Sequence, residues 1–568
     1  MPMDNPGIEP SKALDSVPIP ILRSKRAYTA FPSSDDRWEL VRAFIREGGL
    51  VRHQIDSFND FVEKKLQEIV NENSIIETEV KGLYIKLERI EVGKPRVREA
   101  DASEHILYPM EARLRNLTYA APLYLTMVLY VNDEEVDRQK VYIGDLPIMV
   151  RSKFCNLYGL KRQELISKLE DPDDPGGYFI INGSERVIVS QEDLAPNKPF
   201  YDKGDKASIT HVAKVISIGA GYKTTVTVER HKDGIIYVTF PAIATRIPFP
   251  IIMRALGLET DEDIVLAVSD DPDIQNELLP SLQFSVQIAS TVDDALDFIG
   301  SKVAIGQPRE VRIERAKQVL DKYFLPHLGT TEDARIKKAL MVGQMVKGVI
   351  EMYLGRRQPD DKDHIANKRV RLVGDLMAQL FRAVFRQVIQ DIRQQLERHY
   401  SRGKIPSLVT LVRADIITER IRHALATGNW IGGRTGVSQM LDRTNLLSTL
   451  SHLRRVVSNL SRTQPHFEAR DLHPTQWGRL CAIETPEGQN CGLVKNLALL
   501  ATITVGVDEN EVEKMLYDLG VVPILKARRE GVKGTEVYLN GRLIGIHTEP
   551  DKLVSTIREM RRRGQISH

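Results

Sequence analysis

The sequence predicts a multidomain α+β fold, and three observations carry that reading. At 568 residues the chain is longer than one hydrophobic core organises. Alternating, β-rich runs such as TYAAPLYLTMVLYV (118–131) and KVYIGDLPIMV (140–150) stand beside helical stripes. The longest stripe runs from Leu376 to about Tyr400, with Leu376, Leu380, Val384, Val388, Ile392 and Leu396 in register.

Taken in order, residues 1–15 read as a frayed start. Residues 36–72 read as helical, with Asp56 or Ser57 as the cap of a segment that lines up Phe58, Phe61, Val62, Leu66, Ile69 and Val70 on a core face. Residues 75–150 read as a mixed α/β unit. In 170–193 a Pro/Asp/Gly loop leads into two strands joined at Asn182–Gly183, a hairpin signal. Asp171, Asp173 and Asp174 in that loop read as solvated, because prolines interrupt them and no further ligands follow at a recognised spacing.

TTVTVER (224–230), IIYVTF (235–240) and FPIIM (249–253) read as strands, with a turn at Asp233–Gly234. An acidic stretch and a helical EVRIERAKQVLDKYFLPHL (310–328) follow, then a helix over 333–354 whose Leu340, Met341, Met345, Val349 and Met352 are core filler. In 356–375, Asp360, Asp361, Asp363 and His364 are interleaved with Lys362, Lys368, Arg369 and Arg371. That mixture predicts an ion-pair network linking domains, not a metal-binding carboxylate set. The glycine-rich GNWIGGRTGVSQ (428–439) lacks the Gly-Lys-Ser/Thr of a Walker loop. Beyond 500, ATITVGV (501–507), VVPIL (521–525) and a hairpin in TEVYLNGRLIGIH (535–547) are expected, then a helix opened by Pro550 that carries Lys552, Arg558, Arg561, Arg562 and Arg563.

Net charge is only +2, so any nucleic-acid site must be local. Three cysteines (155, 481, 491), none in a C-x-x-C pair, argue against a disulfide framework and a zinc site. No basic-then-apolar N-terminal run or ~20-residue apolar window points to a leader or a membrane span. The expectation is a cytoplasmic protein with no membrane partner.

Charge is concentrated in one place. Between 442 and 479 six arginines (443, 454, 455, 462, 470, 479) face three acids (Asp442, Glu468, Asp471). Fixed guanidinium forks suit a phosphate backbone. Pro465, Pro474 and Pro486 force turns and extended pieces, while Phe467, Trp477 and Leu493 are expected to anchor the segment.

The string RDLHPTQWGRLCAIETPEGQNCGLVKNLAL closely resembles the fork region of the second-largest subunit of multisubunit DNA-directed RNA polymerases. The resemblance continues in order through IGDLPIMVRSKFCNL (143–157), GGYFIINGSERVIVSQE (176–192), FPIIMRALG (249–257), ALDFIG (295–300), DDKDHIANKRVRLVGDLMAQLF (360–381), ALATGNW (424–430) and GVSQMLDRTNLLSTLSHLRR (436–455). It is nearer the archaeal and eukaryotic form than the bacterial one.

That resemblance implies a protrusion (1–195 and 331–400), an inserted lobe (196–330), a fork (401–500) and the start of an external domain (501–568) completed by another chain. It implies a polymerase subunit without catalytic or metal-binding residues of its own. No Asp-x-Asp-x-Asp run occurs here, and the Mg2+ of the complex is expected on the largest subunit. Implied partners are that subunit, the C-terminal half of the second-largest subunit as a separate chain, the other polymerase subunits, template DNA and the RNA–DNA hybrid. Arg454, Arg455, Arg462 and Arg470 are the expected phosphate contacts, with Arg479 and Lys495 behind them. Glu484 and Glu487 are expected to pair with an arginine and, with Trp477 and Gly488, to shape the fork. His466 and Phe467 are candidates for stacking on a base. The alternative is a stand-alone single-stranded nucleic-acid-binding or scaffold protein.

Overall fold

The computed structural model describes residues 34–566 except 100, 102 and 220. The expected frayed start at 1–15 lies outside the described residues. The described residues up to Gly49 form one unit by themselves, the helix Ser34–Glu47, with Asp35 and Asp36 in its first turn and Arg46 in its last, as the helix dipole favours. All that follows concerns the unit from Leu50 onward.

Its first core begins with the helix Arg52–Asp60, continued by a π-turn at Phe61–Lys65 and the helix Leu66–Asn71. The stripe of Phe58, Phe61, Val62, Leu66, Ile69 and Val70 is buried as expected. The cap is not where it was expected. Asp56 and Ser57 lie inside the helix: Asp56 pairs with Arg52 at 2.8 Å, and the Ser57 hydroxyl accepts from the Gly374 N–H at 3.0 Å. A Cβ at position 374 would stand 2.0 Å from the Ser57 carbonyl oxygen, so only glycine allows this crossing. The other partner is the helix Val373–Tyr400, whose predicted stripe from Leu376 to Leu396 is buried throughout. An antiparallel meander, Ile75–Glu77, Leu83–Val92, Ala120–Val131 and Glu134–Pro147, completes this core.

The second core interrupts the first in sequence. Five antiparallel strands from Pro199 to Pro248 pack under helices that end with Arg335–Tyr353. Two expectations change here. FPIIM is helical, within Phe249–Ala255: Pro250 sits in the first turn, and all seven side chains are buried, which gives a continuous apolar run without a helical period. The helix Arg335–Tyr353 buries Leu340, Met341, Met345, Val349 and Met352 in this second core, so the chain re-enters the first core at Val373, not at 331. Likewise Leu408, Leu411, Ile417, Ile421 and Leu425, expected in the fork, belong to the first core.

A mixed four-stranded sheet positions the candidate site. Its order is Lys368–Arg371, Ser190–Leu194, Arg455–Ser458, Val494–Asn496, and the two central strands are parallel. The hairpin Phe179–Ile181/Ser184–Ile188 turns at Asn182 and Gly183, both at positive φ, as the Asn-Gly signal predicted.

After 500, ATITVGV is irregular, and only Val522–Pro523 of VVPIL is extended before the helix Ile524–Arg529. Neither stretch gains a full ladder of its own. The hairpin Thr535–Leu539/Arg542–His547 and the helix Pro550–Arg562 form as predicted. Among the described residues no helix is long and apolar enough to cross a membrane.

Candidate nucleic-acid interface

The strand Ser190–Leu194 sets adjacent acids against opposite clusters. Glu192 lies between Lys368, at 2.8 Å, and Lys495, at 2.9 Å, and Lys368 also meets Asp363 at 3.0 Å. Burial pushes the Glu192 carboxyl up, but the two ammonium groups outweigh it and hold it below the ordinary carboxylate range. Asp193 pairs with Arg371 at 2.7 Å and Arg434 at 2.9 Å, and it is depressed in the same way. Lys223 stands close by with its pKa lowered, first by burial and then by Arg371. Positive charge is therefore in excess around this sheet.

The 356–375 segment is the expected ion-pair network, and beside the local pair Lys368–Asp363 it reaches partners distant in sequence. Lys362 pairs with Asp202, and Asp361 accepts from His473 at 2.8 Å. The Ile365 N–H donates to Thr475 Oγ1 at 3.0 Å, so this segment is stapled to residues 473–475. Glu192, Asp193, Lys223 and Arg434 were not singled out from sequence; the only signal for the two acids was the SQE that closes the 176–192 motif.

The six predicted cations fall into two groups. Arg454 is 7% exposed, and its guanidinium donates to the carbonyls of Leu50, Ala498 and Leu499. Arg470 donates to the carbonyls of Pro465, Gln489 and Cys491 at 2.7–2.9 Å, and at longer range to those of Arg462 and Gln464. Lys495 is consumed by Glu192. Contrary to the expectation of phosphate contact, these three spend their donors on the protein and hold the segment's shape.

The other three are differently placed. Arg462 is half-buried, and its guanidinium makes no hydrogen bond or ion pair among the described residues. Arg479 is exposed, with one bond to the Thr475 carbonyl at 3.2 Å. Arg455 opens the strand Arg455–Ser458 with a buried Nε that has no partner. Burial lowers its pKa, which Asp442 and Glu484 partly offset.

The aromatic anchors also differ from expectation. Leu493 is fully buried, but Trp477 is 83% and Phe467 81% exposed, and Ile483 joins them at 88%. Glu484 accepts from the Ser451 hydroxyl at 2.6 Å instead of pairing with an arginine, and Glu487 is exposed without an arginine partner among the described residues. Gly488 has φ +74° with open space around it, so its role is the turn alone. His466, also at positive φ, starts the short helix Phe467–Arg470.

The glycine-rich turn is pinned at both ends. The Trp430 indole N–H donates to the Leu376 carbonyl at 3.0 Å, and Arg434 holds Asp193. The acidic loop is less free than predicted: Asp173 pairs with Arg162 at 2.8 Å and Asp174 with Arg443 at 3.2 Å. Among the described residues one group, Glu99, His105 and Glu111, gathers three potential metal ligands. Arg115 pairs with both glutamates at 2.7 Å and already supplies the positive charge.

Compared with known families, residues 49–419 match the model described as RNA polymerase beta subunit. The chain belongs to the RNA polymerase beta subunit family. Residues 439–503 match RNA polymerase Rpb2, domain 3, and residues 537–568 match RNA polymerase Rpb2, domain 4. Among family members, the DNA-directed RNA polymerase subunit Rpo2 of Saccharolobus shibatae is 59% identical over 546 residues, 94% of this chain and 48% of that protein. Subunit Rpo2N of Methanocaldococcus jannaschii is 51% identical over 490 residues, covering 85% of this chain and 98% of its own length. Rpo2N of Halobacterium salinarum is 45% identical over 504 residues, covering 86% and 96%. The chain thus spans about half the length of the Rpo2 relatives it matches and nearly all of the Rpo2N relatives.

Proposed function

We propose that this chain works as part of a DNA-directed RNA polymerase, where it shapes and grips melted nucleic acid while other chains carry the metal that makes the bond. The observation that carries this reading is the fork surface. Trp477, Phe467 and Ile483 stand exposed in the same stretch as Arg462 and Arg479, residues 462–483, which Arg470 ties to the carbonyls of Gln489 and Cys491. Exposed rings offer stacking faces to unpaired bases, and uncommitted guanidinium groups offer phosphate contacts.

Arg462 and Arg479 contact phosphate in this proposal, with Arg455 turned to the same side of the duplex's path. Arg454, Arg470 and Lys495 are positioning residues. Glu484 orients the Ser451 side of the fork, and Glu487 and Gly488 set its turn. The fork keeps template and non-template strands apart and lies along the RNA–DNA hybrid. The partners are the largest subunit, a separate chain carrying the C-terminal half of the second-largest subunit, and the remaining polymerase subunits. The names of the Rpo2N relatives support the split. Magnesium belongs to the largest subunit in this reading, since the fork's acids are engaged in shaping it or are single. In this reading the residues of the first core, up to Leu425, act as protrusion, those of the second core as lobe, 426–500 as fork and 501–568 as part of an external domain. The setting is the cytoplasm.

Reconstitution tests this. The chain with magnesium, template and nucleotides is expected to be silent, and addition of the other polymerase subunits is expected to restore RNA synthesis. RNA synthesis that is equally fast when this chain is omitted refutes the assignment. Tight single-strand binding by the chain alone, with no recruitment of other subunits, favours the stand-alone alternative.

A further inference from the structure

The second core carries an acidic, apolar-floored groove that the fork chemistry does not use. Residues 256–307 hold eleven acidic side chains and one basic one, Lys302. Within this stretch the helices Asp261–Val268 and Pro272–Val286 lie side by side. The longer helix already buries one face through Ile274, Leu278 and Leu282. It carries a second apolar stripe, Leu279 and Val286, seven residues apart and about half exposed. Leu266, equally exposed, faces them from the shorter helix. Together they line a groove of about 500 Å³, with Leu282 at its floor and Asp261 and Glu262 on its rim.

No lysine or arginine lines the groove. Asp261 is held by the buried Arg254, and Asp271, Asp273, Glu277, Asp294 and Asp297 pair with arginines from outside the stretch, but Glu259, Glu262, Asp263 and Asp270 have no cationic partner among the described residues. An acidic rim repels a phosphate backbone, which excludes the nucleic acid of the fork. An apolar stripe between two helices matches the ridges of a third helix. The charge around it calls for basic flanks.

We propose that this groove docks a helical segment of a protein partner, one whose apolar stripe is flanked by lysine and arginine. Leu266, Leu279 and Val286 take the stripe, and Glu262 and its acidic neighbours meet the flanks. The site is independent of the fork reading.

The probe is a labelled amphipathic peptide of about 16 residues, long enough to lie along the longer helix, with leucines on one face and lysines beside them. Binding to the full chain is read by fluorescence anisotropy. Leu279→Glu and, separately, Leu266→Glu are expected to weaken binding at least about tenfold. Both side chains are half exposed, so thermal unfolding should stay unchanged. Glu262→Lys is expected to weaken it about threefold, and affinity should fall with added salt. Equal binding of a peptide with glutamate flanks, wild-type affinity in both leucine variants, or displacement of the peptide by single-stranded DNA would each overturn the proposal. So would self-association of the chain that Leu279→Glu abolishes while the peptide fails to bind.

Discussion

Lys495 reaches Glu192 at 2.9 Å although the two lie 303 residues apart and the strand Arg455–Ser458 runs between theirs. That contact closes the sheet over Val456, which is fully buried, and joins the last strand of the fork to a strand formed near residue 190.

Removing Glu192 should therefore cost more than removing either lysine. Glu192→Ala leaves two ammonium groups facing each other in a dry site and is expected to destabilise the chain by about 3–5 kcal/mol. Lys495→Met leaves Glu192 still paired with Lys368 and should cost clearly less. Denaturant midpoints measure both, and the reverse order would contradict the assignment.

Arg470 and Arg479 should separate shape from contact. Arg470→Ala frees carbonyls on both sides of the fork loop and is expected to make residues 462–492 protease-sensitive. Arg479→Ala should leave proteolysis unchanged. In reconstituted polymerase it should weaken nucleic-acid binding and reduce the salt slope by about 0.7–0.9, the loss of one phosphate contact. An unchanged slope removes Arg479 from the interface.

Trp477 offers an optical test. It is 83% exposed, whereas Trp430 is buried, so in a Trp38→Phe background, which removes the other exposed indole, acrylamide should quench Trp477 readily and Trp430 hardly at all. Single-stranded DNA bound to the assembled enzyme should protect Trp477. Trp477→Ala should weaken binding by about 1–3 kcal/mol if a base stacks there. Quenching that nucleic acid leaves untouched would place the indole elsewhere.

Acid should destabilise the fold through buried histidine. His53 and His452 are each held near pKa 4, mainly by burial, with Arg454 pressing on the first and Arg455 on the second. The ordinary histidine value is 6.5, so the unfolded chain takes up protons between pH 6.5 and about 4 that the folded chain refuses. Stability is full above 6.5, falls across that window and has lost this contribution below about 4. His53→Gln should flatten the fall, and an identical pH profile in that variant would exclude His53 as its source.

Much of the architecture was legible in the sequence. The long helix announced itself by its period from Leu376 to Leu396, and all three Asn-Gly or Asp-Gly turns formed hairpins as local chemistry requires. FPIIM misled because a helix buried on every side has no polar face to mark its period. Within the fork, composition revealed the charge but not which arginines spend it. Whether a guanidinium meets a carbonyl or solvent depends on strands hundreds of residues away, as Arg454 bonding to Leu50 shows. The same blindness hid Glu192 and Asp193, whose charged partners come from three separate stretches, at 368–371, 434 and 495. It also made Trp477 and Phe467 read as anchors when they stand in the open.

The parallel pairing of Ser190–Leu194 with Arg455–Ser458 sets an order of events during synthesis. The intervening second core is contiguous and can fold as soon as it leaves the ribosome, while the strand at 190 waits for a mate made more than 250 residues later. Until then the edge opposite Lys368–Arg371 is bare and prone to pair wrongly. The sheet that carries the candidate interface is thus completed only after the second core, so a slow or truncated translation product would carry a finished insertion and an unfinished sheet.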